Sequence, residues 1–410
     1  MRERKVDVMG GPLEGWRVLD FTQGIAGPYV TKLYSDYGAE VIKVERPGIG
    51  DVSRRIGPFP RDDPHPEKSG MFLTLNTGKR GVTLDLTTRT GRELVLELAS
   101  TCDLVIESYR PGTLERLGLP PGRFAEVNPS AALVRISNFG QAGPMREFEA
   151  DVLIEYGAAG ILQISGLPDR GPVALGIYTP LFLAGAICAP LALGAMRAAR
   201  RDGQQEVVDF SIQEGLAGSM DRGGPNLMAY QYTGALASVR RAPGPRTALP
   251  AGVYRCADGY ITVATSVNWF GRFCRVVGRP EWLTDERMTS NLNNPDVIGA
   301  EVEAAFLDWL RPRTKQQAME EAQAAGWPLS ALNTPADVLR DPHMRERGFF
   351  VTVEHPAAGP VVLPGLALRF YGTPGELSRP PLLGEHNVQV FGELGYTPPE
   401  VAALRAQNVM

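Results

Sequence analysis

Short apolar segments alternate with helical segments through the first 215 residues of this 410-residue chain. The apolar segments have the length and the Val, Leu and Ile content of buried strands, and they lie at 16–21, 40–45, 104–107, 132–136 and 206–211. Helices are predicted between them, the clearest at 28–37, 91–100 and 180–200. Buried strands that alternate with helices predict an α/β fold built on a parallel sheet with right-handed crossovers.

The length of the chain favours two domains, because one hydrophobic core seldom extends over so many residues. A stretch rich in Gly, Arg and Pro at 221–250 predicts a linker. Beyond it, a strand at 260–264 is followed by helices at 269–277, 299–309 and 314–325. We therefore predict a large domain at 1–220, completed by about 345–410, and a smaller α+β domain at 251–344.

Charge and composition exclude several classes of function. The net charge of −4 gives no bulk attraction to nucleic acid. The four cysteines lie far apart, which predicts reduced, buried thiols, and the four histidines lack the spacing of metal ligands. We expect no metal cofactor.

One apolar stretch has the length of a membrane span. Residues 178–196 carry no charge, but they are rich in Ala and Gly and contain Pro190. This composition predicts a buried helix at a domain or subunit contact. The charged residues 1–11 contain no apolar signal core, so we expect a cytoplasmic protein without a membrane partner.

The first strand–helix turn, at 22–28, invites comparison with dinucleotide-binding folds. Glu45 ends the next strand, where a ribose-binding acid could lie, but the turn lacks the G-x-G-x-x-G spacing that lets a backbone approach a pyrophosphate. We therefore expect no NAD site.

An ordered set of motifs extends over nearly the whole chain. They are LDFT at 19–22, IAGP at 25–28, AEVIKVERP at 39–47, NTGKR at 76–80, TLDL at 83–86, DLVIESYRPG at 103–112, LERLG at 114–118, RPEWLTD at 279–285 and PLLGEH at 381–386. In this order they resemble the class III CoA-transferases, such as formyl-CoA and carnitine-CoA transferases, and the related α-methylacyl-CoA racemases. The resemblance implies a Rossmann-like large domain that binds CoA, and an interlocked dimer in which each chain threads a ring made by the other.

The resemblance also implies a set of residues that contact coenzyme A. Guanidinium groups grip phosphate in a bidentate manner, so two arginines suit the nucleotide end of CoA, although solvated surface arginines remain an alternative. The resemblance places Ile25 near the thioester, Arg46 and Arg116 at the nucleotide end, Leu84 and Leu86 beside the adenine, and Ser108, Tyr109 and Arg110 on the pantetheine path. It also counts Ala26 among the CoA-binding residues.

Departures from the family pattern concern the chemistry itself. The resemblance assigns the transferase's nucleophilic aspartate to Ile177, whose side chain cannot attack an acyl group. Ala150 replaces a histidine of the racemases, so both proton-exchanging groups are missing and racemisation is rejected. Asp151 is a weak candidate for a substitute, and so is Glu155 four residues later, but both also suit capping or solvated roles.

Three functions remain open. The first is the non-nucleophilic subunit of a heteromeric CoA-transferase, whose aspartate-bearing paralogue completes the site. The second is a standalone enzyme of divergent acyl-CoA chemistry, with Asp151 or the pair Tyr178 and Thr179 near the reacting carbon. The third is a non-catalytic acyl-CoA binding protein. The expected small-molecule partners are an acyl-CoA and a carboxylic acid.

Overall fold

The computed structural model describes residues 10–166, 171–174, 176, 178–218, 223–235 and 247–410. The described residues form two compact units. One contains those before 241 together with those after 346, and the other contains those between.

A six-stranded parallel sheet forms the centre of the first unit. Its strands are β1 Arg17–Phe21, β2 Glu40–Glu45, β3 Arg80–Thr83, β4 Leu104–Glu107, β5 Ala132–Ser137 and β6 Val207–Ser211. They are arranged in the order β3-β2-β1-β4-β5-β6, and every neighbouring pair is parallel. The predicted parallel sheet is confirmed. The strand β3 was missed, because four residues at a sheet edge are too few to show a pattern.

Helices cover both faces of this sheet. In chain order they are α1 Ala26–Asp36, α2 Gly70–Leu75, α3 Arg89–Ala99, α4 Thr113–Arg116, α5 Pro121–Val127, α6 Val152–Ala158, α7 Thr179–Asp202, α8 Ile212–Ala217 and α9 Gly223–Thr233. One face packs against α1, α6, α7 and α8, and the other against α3 and α5. The strands therefore read as continuous apolar runs, as expected for a sheet that is buried on both sides.

The helix α7, with 24 residues, is long and apolar enough to cross a membrane by length and composition alone. Its small residues Ala184, Cys188 and Ala192 are buried in the core beside α1. Leu183 and Leu191 of the same helix are exposed. The predicted burial of this helix is thus confirmed for one of its faces.

The second unit is an α+β structure. It contains β7 Ala251–Arg255, β8 Tyr260–Ala264, α10 Phe270–Val276, α11 Glu286–Thr289, α12 Pro295–Leu310, α13 Lys315–Ala324, β9 Leu329–Ala331, α14 Pro335–Arg340 and α15 Pro342–Glu346. The three strands form an antiparallel sheet in the order β7-β8-β9. Its core is aromatic, with Phe273, Phe306 and Trp327 fully buried and their rings in contact.

The C-terminal residues return to the first unit. They form the hairpin β10 Phe350–His355 and β11 Gly359–Pro364, and then α16 Asn387–Glu393 and α17 Pro398–Ala406. Val390 and Phe391 of α16 and Val401 of α17 are buried in the same cluster as α3 and α5. These two helices thus complete the core on that face of the parallel sheet.

The segment 221–250, predicted to be a linker, includes the helix α9 at Gly223–Thr233. Gly and Pro here lie at the start of the helix, where Pro225 is tolerated, and an apolar run from Leu227 to Tyr230 follows. The segment between β2 and α2 contains two short 3-10 turns, Val52–Arg55 and Pro60–Asp62.

Candidate functional site

The parallel sheet has a switch point between β1 and β4, where the strand order reverses. In open α/β sheets, ligands bind at the carboxyl ends of the strands beside such a point. The turn after β1 and the loop after β4 meet there, since the backbone N–H of Gln23 donates to Ser108 Oγ at 2.8 Å. Ser108, predicted to lie on the path of a ligand, is therefore located at the switch point.

Buried ions fix the turn after β1. Lys43 Nζ pairs with Asp51 Oδ2 at 2.7 Å and donates to the carbonyl of Thr22 at 2.8 Å. Asp51 Oδ1 in turn accepts from the N–H of Gly24 at 3.0 Å. Burial alone would raise the pKa of Asp51, but Lys43 outweighs it and the pKa lies below its ordinary value.

A second buried cation supports the same turn from behind. Lys79 Nζ lies 3.0 Å from Asp20 Oδ2, and Asp20 Oδ1 accepts from the N–H of Thr22 at 2.8 Å. Burial opposes ionisation of Asp20, yet Lys43 and Lys79 hold its pKa at about 2. Burial lowers the pKa of Lys79 to about 8. Buried side-chain charges therefore hold this turn in place.

A cavity of about 510 Å³ opens beside this turn. The described residues that line it come from the start of α1, the ends of β4 and β5, α6, and the starts of α7 and α8: Gln23, Gly24, Ile25, Ala26, Gly27, Ile56, Ser108, Ile136, Ser137, Asn138, Ala150, Asp151, Val152, Glu155, Tyr178, Leu181 and Ile212. None of these lining residues is Lys, Arg or His. The cavity is thus mostly apolar, with a few polar groups and two carboxyl groups.

The helix α1 begins at the wall of the cavity. Ile25 is its N-cap and gives no side-chain cap, so Ile25 and Ala26 bring the start of a helix to the cavity without a competing acceptor. The first N–H groups of a helix have no acceptor within the helix and lie at its positive end. This wall suits a ligand oxygen that bears negative charge.

Glu155 is the buried acid of the cavity. Its side chain is 2% exposed, and Oε2 has no hydrogen-bond partner among the described residues. Burial, with a smaller effect from Asp151, raises the pKa of Glu155 to about 7. The hydroxyl of Ser137, another lining residue, is likewise buried without a partner in the described structure.

Asp151 serves as the N-cap of α6. Its Oδ1 accepts from the N–H groups of Leu153 at 3.0 Å and Ile154 at 3.2 Å, and the residue is exposed. The capping role that the sequence left open is therefore present. Asp151 and Glu155 differ sharply in environment although they are one helical turn apart.

The wall formed by α7 contributes no carboxyl group. Its lining residues are Tyr178, which precedes the helix, and Leu181 in the first turn. Ile177, to which the sequence assigned the missing nucleophile, lies outside the described residues. Thr179 is the first residue of α7, but it does not line the cavity among the described residues.

The remaining predicted ligand residues surround the same edge of the sheet. Arg46 directly follows β2 and is exposed, and Arg116 ends α4, where it donates to Thr113 Oγ1 at 2.7 Å. Leu84 and Leu86 follow β3 and are buried in the core.

Two predicted residues after β4 are not part of the described cavity lining. Arg110 pairs with Glu149 at 2.7 Å on the surface. Tyr109 is half-buried, its N–H donates to Glu107 Oε2 at 2.7 Å, and burial raises its pKa. Of the residues after this strand, Ser108 alone lines the described cavity.

Sequence reasoning missed Ser137, Asn138 and Leu181 as cavity residues. The first two had a usable signal, because they directly follow a predicted strand of a parallel sheet and must therefore lie at its carboxyl edge. Leu181 had no such signal, because an apolar residue in an apolar helix cannot be distinguished by sequence from a residue of the hydrophobic core.

A family model described as CoA-transferase family III matches residues 13–387. The chain belongs to this family. Among curated relatives, succinyl-CoA–D-citramalate CoA-transferase of Chloroflexus aurantiacus is 34% identical over 406 residues, which cover 97% of this chain and 98% of that protein. The alpha and beta subunits of succinyl-CoA–L-malate CoA-transferase, also from Chloroflexus aurantiacus, are each 30% identical, with 97% of this chain covered and 92% and 98% of the subunits.

A solved CAIB/BAIF family protein from Brucella suis superposes with a TM-score of 0.79 at 28% identity, covering 97% of this chain and 100% of that one. The resemblance inferred from the motifs is thereby confirmed, and so is the fold class. The described parallel sheet is therefore that of a member of CoA-transferase family III.

Proposed function

We propose that this chain acts on acyl-CoA thioesters as the non-nucleophilic subunit of a heteromeric CoA-transferase. The observation behind this proposal is the α7 wall of the cavity, where Tyr178 and Leu181 bring no carboxylate to the described lining. The similarity to both the alpha and the beta subunit of a two-subunit CoA-transferase supports it.

The reaction of the heteromer would run through the partner's carboxylate. That carboxylate attacks the thioester carbonyl, forms a mixed anhydride and releases CoA as a thiolate. The thiolate then attacks the anhydride carbonyl that derives from the partner's side chain. This step forms a thioester between the partner and CoA and releases the first acid. The second acid repeats the two steps in reverse order, so CoA passes from one acid to the other. An aliphatic side chain can start none of these steps.

The chain itself would bind the CoA thioester. Arg46 and Arg116 would hold phosphates at the nucleotide end, and the pantetheine would run past Ser108 to the cavity. The start of α1 would face the thioester oxygen, where backbone N–H groups stabilise negative charge. These assignments follow the family resemblance and agree with the positions of the residues at one edge of the sheet.

Exposed apolar side chains support an oligomer. Leu191 of α7 is 59% exposed, and α9 exposes Leu227, Tyr230 and Tyr232. Apolar side chains grouped on exposed helix faces are typical of subunit contacts. We propose a homodimer or a heteromer with an aspartate-bearing paralogue, located in the cytoplasm.

A standalone enzyme is the second candidate, since Asp151 and Glu155 both line the cavity. An acyl adduct trapped by hydroxylamine or borohydride on the isolated chain would support it. Asp151→Asn keeps a good cap and removes the charge, whereas Asp151→Ala also removes the cap, so the pair separates a chemical role from a structural one. Binding of CoA without any turnover, alone or with partners, would instead select the third candidate, a binding protein.

The deciding experiment is reconstitution. The purified chain is assayed for transfer of CoA from succinyl-CoA to isotopically labelled acids, first alone and then mixed with a family member that has the aspartate. We expect no transfer by the chain alone, and transfer by the mixture above that of the partner alone. Robust transfer by the isolated chain would overturn the proposal.

A further inference from the structure

We propose that Glu155 binds the acyl group as a neutral carboxylic acid, donating its proton in a hydrogen bond to an acyl oxygen, so that acyl-CoA binding is coupled to protonation of this side chain. The inference deepens the proposed function and rests on the cavity being the acyl site.

The geometry of Glu155 is the first argument. The side chain lies on α6, lines the cavity and is 98% removed from solvent, while Oε2 has no partner among the described residues. A buried carboxylate without a donor is costly, and a buried acid that lacks an acceptor also loses a hydrogen bond. A ligand oxygen in the cavity would supply the acceptor, and the acid form of Glu155 would supply the proton.

The surroundings of Glu155 favour the neutral form. On its own helix the charged neighbour is Asp151, which repels a second negative charge. Tyr178 borders the cavity at the start of α7, and Glu214 of α8, which packs against α6, is exposed. The 3-10 turn Leu162–Ile164 beside α6 has no titratable side chain. No Lys, Arg or His is found among the described lining residues, so nothing there would hold Glu155 as an anion.

Other groups of the cavity lining complement a donor at Glu155. The start of α1 offers backbone N–H groups, and Ser137 adds a buried hydroxyl without a partner in the described structure. An acyl carbonyl placed among these groups receives hydrogen bonds and needs no cation. The cavity therefore fits an acyl carbonyl, whose oxygen accepts hydrogen bonds from these groups.

The test compares two ligands over pH. Dissociation constants are measured by calorimetry for CoA and for acetonyl-CoA, a stable ketone analogue in which a methylene separates the sulfur from the carbonyl. In the ratio of the two dissociation constants, the effect of ionisation of the CoA phosphates cancels, because both ligands carry the same phosphates. The pH dependence of this ratio therefore reports on binding of the acetonyl group with its carbonyl oxygen. With a pKa of about 7 for Glu155, preference for acetonyl-CoA should fall about tenfold between pH 6 and pH 8.

Three variants sharpen the test. Glu155→Gln keeps a donor that does not titrate, so the preference should be present and independent of pH. Glu155→Leu has no donor, so the preference should be small at every pH. Asp151→Asn removes the neighbouring charge and should move the midpoint to lower pH while the cap is kept. Thermal melting of each variant checks that it is folded.

The outcomes separate the two proposals. If CoA binds but the wild-type ratio is flat, or rises with pH, the role of Glu155 is wrong while the proposed function stands. A pH-dependent ratio that persists in Glu155→Gln also contradicts the role. If neither ligand binds to the folded chain, the proposed function fails, and this inference fails with it.

Discussion

Ser108 Oγ accepts a hydrogen bond from the backbone N–H of Gln23 at 2.8 Å, and so connects the loop after β4 to the turn after β1. The bond crosses the point where the strand order of the sheet reverses. Both residues line the cavity, so this contact fixes the distance between two of its walls.

We expect Ser108→Ala to weaken CoA and acetonyl-CoA binding, because the N–H of Gln23 loses its acceptor and the turn is less well fixed. The loss of one hydrogen bond predicts a cost of about 1 kcal/mol in the free energy of unfolding. Chemical denaturation and calorimetry measure the two effects. Ser100→Ala is the control, since that hydroxyl bonds a carbonyl on the surface at the end of α3. Equal binding by both variants would show that the link does not shape the site.

A carboxylate introduced at the α7 wall should restore chemistry. Leu181 lines the cavity from the first turn of α7, where the helix dipole also favours a negative charge. We expect Leu181→Asp to form an acyl adduct with succinyl-CoA that hydroxylamine releases, detected by mass spectrometry. Leu183→Asp is the matched control, because Leu183 is exposed on the same helix and does not line the cavity.

Ile177→Asp is the version of this experiment that the sequence alone suggests, and it is made in parallel. An adduct on Leu181→Asp but not on Ile177→Asp would show that a nucleophile acts from position 181, which the cavity indicates, and not from position 177, which the motifs assigned. No adduct on either variant would mean that more than one side chain separates this cavity from that of an active transferase.

The two exposed arginines should bind the nucleotide end of CoA. We expect Arg46→Ala and Arg116→Ala each to weaken CoA binding by about tenfold, since a hydrogen bond to a charged group contributes about 1.5 kcal/mol or more. Calorimetry with CoA and with dephospho-CoA identifies the phosphate: a residue that contacts the 3′-phosphate loses its effect with the second ligand.

Arg123→Ala controls for the loss of one surface charge, because Arg123 is exposed on α5 and pairs with Glu126. If the variants at 46 and 116 bind CoA as tightly as this control, the two arginines are solvated surface residues, the alternative that the sequence left open.

Removal of the buried charge at Asp51 should be costly. Asp51→Asn leaves Lys43 buried without its closest anion, and breaking such a pair costs about 3–5 kcal/mol. Since the pKa of Asp51 is lowered by folding, its contribution is present above its unfolded pKa of 3.8 and is lost as the pH falls below it. Urea denaturation at pH 7 and pH 3 should therefore show a smaller difference from wild type at pH 3. Asp63→Asn, at an exposed position, should change neither value.

Glu155 should give the opposite dependence on pH. Folding raises its pKa from 4.5 to about 7, so the folded state is most favoured at low pH and loses stability as the pH rises through that interval. We expect Glu155→Gln to be more stable than wild type at pH 8, by on the order of 3 kcal/mol, and to lose most of that advantage at pH 4. Glu214→Gln on α8 is the exposed control, and a wild-type curve parallel to that of Glu155→Gln would contradict the raised pKa.

The sheet was accessible to sequence analysis because its strands are buried on both faces and consist of continuous apolar runs, as at Leu104–Glu107. The edge strand Arg80–Thr83 could not be predicted from the sequence, because it depends on pairing with β2 and on packing against the C-terminal α16. The site was only partly accessible. Motifs identified Ser108 and Ile25 as site residues. They could not show that Asp151 is a helix cap and Glu155 a buried acid, because this difference depends on how α6 packs, which sequence spacing does not give.

Gly185 of α7 lies against α1 so closely that a Cβ atom there would be 2.6 Å from the carbonyl oxygen of Ala26. At this point the two helices, whose first turns border the cavity, come into contact through their backbones, with the side chain of Tyr29 beside the contact. A methyl group at this position would therefore push α1 and α7 apart. In the proposed function, α1 offers N–H groups to the thioester, and α7 of an active paralogue would hold the attacking acid. The lack of a Cβ atom at Gly185 therefore sets the distance between donor and nucleophile in such a site. Because this distance does not depend on the nucleophile itself, a chain without the nucleophile can keep it.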